Sequence, residues 1–176
     1  FQVMRRDHLI LWKDDHIDNN ENSKYMKNLL KQGVNIYGAK TNEEALNIIK
    51  TKKRNKIKFI TNCGIDLAGK QLIETIRNEL HYNFIILVFT STLQYMSWAK
   101  DIQNVILTTC PVKFAEFISL EMTHENVMQY ITGLEAHHHV HFNINESEIL
   151  YFPDYIDDIE NPTPQHPRQI NSFKCL

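Results

Sequence analysis

The chain is short of the residues that punctuate or staple a fold. Its 176 residues include five glycines, five prolines and three cysteines. Cys63, Cys110 and Cys175 are odd in number and far apart, which argues against a disulfide framework and fits a reducing, intracellular compartment. With so little glycine there is no phosphate-cradling loop, and neither a Gly-x-Ser-x-Gly elbow nor a His-Glu-x-x-His helix occurs. No apolar run approaches the ~20 residues needed to span a bilayer. The apolar part of "FQVMRRDHLILW" is too short for the core of a secretory leader. An excess of one charge is missing as well: 19 basic residues against 21 acidic ones leave a net charge of -2. Neither nucleic acid nor an anionic membrane is therefore expected as a partner.

What is present is an ordinary globular composition, 43% hydrophobic and 23% charged, enough for one domain and an appendage. Short apolar runs alternate with helical patterns over roughly the first 120 residues. Residues 8–12 read as a first strand, followed by a helix carrying Tyr25, Met26, Leu29 and Leu30 and ended by Gly33. "VNIYGA" is a second strand. Thr41 and Glu44 have capping-box spacing before Ala45, Leu46, Ile48 and Ile49. "KIKFITN" is a third strand, followed by a helix with Leu67, Leu72, Ile73 and Ile76 inward and Asp66 as its cap. The wholly apolar "FIILVFT" suits a central parallel strand. "TLQYMSWAKD" reads as a short helix, "NVILTT" as a fifth strand, and Pro111 opens a further helix where proline is welcome. Helix-length connections between short strands imply right-handed crossovers and a parallel sheet covered on both faces. The expected fold is α/β: a flavodoxin-like, doubly wound, five-stranded sheet of order 2-1-3-4-5 with a C-terminal extension. Its functional groups should lie at the carboxyl ends of the strands. The domain is expected over residues 1–122. A helix and a strand, through "THENVMQYITGL" and "HHHVHFNI", follow over 123–145, and an acidic, proline-bearing tail or linker runs over 146–176.

The strand ends carry the chemistry. Asp14 and Asp15 follow the first strand, Thr61 and Asn62 end the third, Thr90 ends the fourth, and Cys110 precedes Pro111 after the fifth. With "GKQLIETIR" after the third strand, this series resembles the receiver domain of two-component response regulators over residues 8–121 or so. In that family a carboxylate pair and an aspartate ending the third strand hold Mg²⁺, and that aspartate accepts a phosphoryl group. A Thr or Ser and a Lys before proline complete the site. By this resemblance Asp14 and Asp15 match the acidic pair, Thr90 or Ser91 the hydroxyl and Pro111 the proline. Thr61 or Asn62 stands where the acceptor belongs, and Cys110 where the lysine belongs. An amide or hydroxyl without an adjacent base is a poor substitute for a carboxylate nucleophile, and the phosphate-reading cation is gone. The resemblance therefore implies a degenerate pseudo-receiver: no enzyme, no cofactor beyond weak Mg²⁺ at Asp14 and Asp15.

Three functional expectations follow. The first is a non-catalytic, cytoplasmic, receiver-like interaction or signalling module, acting on a protein partner or a neighbouring domain of a larger chain, or as a homodimer. The family's usual signalling face makes Tyr95, Trp98, Lys100, Phe114 and Phe117 interface candidates. The second is a Mg²⁺-dependent switch or enzyme of the same fold using Asp14 and Asp15. The third is a metal-binding regulator: His137, His139 and His141 alternate and would share one face of a strand, where imidazoles bind Zn²⁺, Cu²⁺ or Ni²⁺. The plain alternatives are a solvated loop at Asp14 and Asp15, a small buried hydrophobe at Cys110 and a solvated strand face at the histidines.

Overall fold

The computed structural model describes residues 8–52, 56–64, 67–81, 85–91, 97–135, 140–145 and 172–175. Its strands, β1 (His8–Lys13), β2 (Ile36–Ala39), β3 (Lys56–Thr61), β4 (Ile86–Phe89), β5 (Val105–Thr108), β6 (Val140–Asn145) and β7 (Ser172–Cys175), follow the order β2-β1-β3-β4-β5-β6-β7. The first five are parallel, which is the flavodoxin-like arrangement expected from the alternation of strand and helix. The chain divides into two compact units, Phe1–His81 and Tyr82–Leu176.

The first unit is built from β1 (His8–Lys13), α1 (Asn20–Lys31), β2 (Ile36–Ala39), α2 (Asn42–Thr51), β3 (Lys56–Thr61) and α3 (Ala68–Asn78). β1 lies between β2 and β3, with Ile10 opposite Ile36 and Lys58, and Lys13 opposite Ala39 and Thr61. Every residue of β3 and all but the first of β1 are buried, as a central parallel strand requires. α1 packs on the sheet through Tyr25, whose ring meets Trp12 edge-on at 6.1 Å. Asn19 caps α1 by accepting the Asn22 N–H at 2.7 Å. At its other end Gly33 takes a left-handed φ of +83°, as the sequence indicated.

α2 starts at Thr41, whose hydroxyl accepts the Glu44 N–H at 3.2 Å. The Glu44 carboxylate returns to the N–H of Lys40 at 2.8 Å, one residue before the cap, so the box is looser than the reciprocal form. α3 departs from expectation. Its N-cap is Leu67, left-handed at φ 62° and without a side-chain cap bond, while Asp66 lies outside the described residues. Leu67, expected inward, is exposed; Leu72, Ile73 and Ile76 are buried.

The second unit contains β4 (Ile86–Phe89), a 3-10 turn (Ser97–Asp101), β5 (Val105–Thr108), α4 (Pro111–Ser119), α5 (His124–Glu135), β6 (Val140–Asn145) and β7 (Ser172–Cys175). The helix expected over 92–101 is thus a 3-10 turn where it is described, and residues 92–96 lie outside. β4 pairs in parallel with β5, while β6 and β7 extend the ladder antiparallel. α4 turns Phe114, Phe117 and Ile118 inward at i, i+3, i+4 spacing. Phe114 stacks on Phe89 with centroids 4.7 Å apart, and Phe117 meets Tyr130 of α5 at 5.9 Å. The Tyr130 hydroxyl donates to the Lys113 carbonyl at 2.8 Å, so a buried phenol keeps its hydrogen bond. Val127, Ile131 and Leu134 complete the buried stripe of α5.

Candidate functional site

The first strand ends one residue later than the sequence suggested: β1 runs on through Lys13. Side chains alternate along a strand, so Lys13 falls on the same face as Leu9 and Leu11. It is 1% exposed. Its ammonium donates to Asp15 Oδ1 at 2.9 Å. Over this pair lies Gly64, in the loop between β3 and α3, with φ +76°. A Cβ there would stand 3.2 Å from both Lys13 Nζ and Asp15 Oδ2, and 2.9 Å from Ala68 Cβ. Glycine is favoured twice over, by its backbone conformation and by the closeness of the Ala68 Cβ, with the ion pair tight beside it.

Asp14 faces the same loop. Its backbone N–H donates to Ala39 O at 2.9 Å, which ties it to the end of β2. Its Oδ1 accepts the His16 N–H at 2.8 Å, a local turn bond, and the Asn62 side-chain N–H at 3.3 Å. Burial pushes the Asp14 carboxyl above its ordinary value; the His16 N–H and the positive charges of His16 and Lys13 offset this only in part. Asn62 donates its backbone N–H to Lys13 O at 3.0 Å, so the two strand ends are joined directly. Its Oδ1 is buried and accepts no hydrogen bond. Thr61 is fully buried, and its hydroxyl donates to the Asn62 carbonyl at 3.0 Å.

The next turn of chain fixes this loop from behind. The Gly69 N–H donates to Cys63 O at 2.6 Å, and a Cβ on Gly69 would overlap the carbonyl oxygen of Asn62. The glycine of "GKQLIETIR" is there for close approach of α3 to the loop.

Four of the six residues expected at the strand ends, Asp14, Asp15, Thr61 and Asn62, therefore meet in the first unit, joined by Lys13, which the sequence reading passed over. Its signal was its place at the end of a strand covered on both faces: every residue from Leu9 to Lys13 is buried. Thr90 and Cys110 belong to the second unit. The Thr90 N–H donates to Thr108 O at 3.2 Å. Cys110 is the N-cap of α4, its N–H donating to Thr108 Oγ1 at 3.0 Å, and neither Cys110 nor Cys63 forms a disulfide. The bond to Pro111 is trans.

The interface candidates fare differently. Phe114 and Phe117 are core residues at 4% and 0% exposure, and Trp98 is buried too. The family's signalling face singled them out, but the i, i+3 spacing of Phe114 and Phe117 on α4 turns both inward, and none of the three is exposed to a partner. Tyr95 and the side chain of Lys100 lie outside the described residues. So do His137 and His139; His141 is on β6 opposite Leu107, its side chain undescribed. The expected histidine strand starts at Val140. Among the described residues no three His, Cys, Asp or Glu side chains gather as a metal-holding group. No described helix is long and apolar enough to cross a membrane.

Two more lysines escaped the sequence reading. Lys56 and Lys58 point to one face of β3 and are both buried. Burial lowers the Lys58 ammonium to about 7. Compared with known proteins, the chain matches no protein-family model and no curated protein sequence.

Proposed function

We propose that this chain is a non-catalytic, receiver-like interaction or signalling module that does not take up a phosphoryl group by aspartate chemistry. One observation carries the reading: where a carboxylate nucleophile would be needed, Thr61 is buried with its hydroxyl turned to the Asn62 carbonyl, and the Asn62 amide is bonded to Asp14. Neither side chain is a phosphoryl acceptor in that state. The partner is a protein or a neighbouring domain of a larger chain. The near-neutral charge supports neither nucleic acid nor an anionic membrane. A cytoplasmic setting agrees with three cysteines, odd in number and widely spaced, of which Cys63 and Cys110 form no disulfide. A Mg²⁺-dependent switch is the weaker reading, because it asks a dication to join carboxylates of which one already holds the Lys13 ammonium.

The test is incubation of the full chain with acetyl phosphate and Mg²⁺, followed by intact-mass measurement. The expected result is an unmodified chain. A hydroxylamine-labile phosphoryl adduct would overturn the proposal.

A further inference from the structure

We infer that the Lys13 ammonium is the resident cation of the acidic strand end, balancing the charge of Asp14 and Asp15 in place of a bound divalent ion and keeping such an ion out. Lys13 contributes its backbone to the same strand end as the two carboxylates, so chain connectivity alone delivers the cation to them. Its Nζ is buried and 2.9 Å from Asp15 Oδ1. At that separation and burial the attraction is far stronger than between exposed charges. Gly64 lies close over both charges and Ala68 is packed against it, while the Asp15 side chain keeps 21% of its surface exposed. Mg²⁺ and Mn²⁺ bind best with several oxygens and retained waters. An ammonium needs no hydration shell here, since it is bonded to a carboxylate and covered by backbone. Two side chains beside the pair supply further oxygens: Asn62 Oδ1 is buried and accepts no hydrogen bond, and the Asp14 carboxylate accepts the His16 and Asn62 N–H groups through Oδ1. With the ammonium removed, these oxygens and the Asp15 carboxylate are a hard-oxygen set of the kind that takes Mg²⁺ or Mn²⁺. The inference rests on the geometry of the first unit and reads metal binding directly, so its outcome is separable from the phosphodonor test.

The experiment is a Mn²⁺ titration of the full chain, following the free-ion electron paramagnetic resonance signal. Wild type, Lys13→Met and Lys13→Met/Asp15→Asn are compared after circular dichroism shows each to be folded. Wild type should leave the signal unchanged at millimolar Mn²⁺. Lys13→Met should bind Mn²⁺ about tenfold or more tightly than wild type, and the added Asp15→Asn should abolish the gain. Binding by wild type equal to that of Lys13→Met, or a folded Lys13→Met with no gain, would overturn the inference. If Lys13→Met does not fold, Lys13→Gln, which keeps a donor for Asp15, runs the same comparison with the same two outcomes.

Discussion

At the scale of single residues, the ionisable side chains of the first unit make opposite demands on pH. Asp14 has a raised pKa, caused first by burial. The folded chain therefore holds its proton more tightly than the unfolded chain does. Stability linked to Asp14 is present below the ordinary value of 3.8 and is lost as pH rises through the folded-state pKa. Asp14→Asn keeps an acceptor for the His16 and Asn62 N–H groups and removes the charge. It should be neutral to stabilising at pH 7, with its advantage over wild type vanishing below about pH 3.8; urea midpoints measured across pH check this. Lys58 runs the other way. Its pKa is lowered by burial to about 7 from 10.5, so the unfolded chain binds the extra proton, and stability should climb between about pH 7 and 10.5. Lys58→Met should flatten that climb and stabilise the chain at pH 7 by roughly 1 kcal/mol or more; an unchanged slope would show that Lys58 is charged in the folded state. None of this was legible in the composition. A lysine is scored as solvated wherever it stands. Only membership of a strand covered on both faces, Lys13 in β1 and Lys56 and Lys58 in β3, marks the buried ones.

At the scale of elements, helix starts were readable where the signal is local and misread where it is tertiary. Thr41 and Glu44 cap α2 through bonds that span three or four residues, so spacing alone identified them. Thr41→Ala should cost about 1 kcal/mol in thermal or chemical unfolding. The start of α3 is set instead by how closely its first turn presses on the preceding loop, which no local pattern reveals. Gly69 distinguishes the two kinds of cause. Helix propensity alone would make Gly69→Ala stabilising by up to about 1 kcal/mol. Close approach to the Asn62 and Cys63 carbonyls makes it destabilising, by about 1–3 kcal/mol, because the obstacles are backbone and cannot rotate away. A stabilised Gly69→Ala variant would mean that the loop yields. The aromatic residues of α4 show the same limit in reverse: the resemblance offered Phe114 and Phe117 as a signalling face, while their i, i+3 spacing turns both into the core.

At the scale of the whole chain, the parallel order β2-β1-β3-β4-β5 followed from alternation because crossover handedness leaves few ways to lay strands between helices. The C-terminal end followed no such rule. Ser172–Cys175 is too short to show a period, and its strand exists through pairing with β6, a partner distant in sequence. Such non-local ladders are invisible to a reading that moves along the chain. Phe142 to Asn145 pair with Cys175 to Ser172 on one side, while Val140 to Asn143 pair with Thr108 to Val105 on the other. A chain ending at residue 171 would leave β6 with a bare edge but keep its ladder to β5. Its β6 amides that point to β7 should then lose hydrogen-exchange protection, while those of β4 and β5 keep theirs, since local opening free energies differ between parts of one sheet. Loss of protection in β4 and β5 as well would mean that β7 is needed to hold the second unit together, and that four residues remote in sequence are part of its cooperative core rather than a covering for its edge.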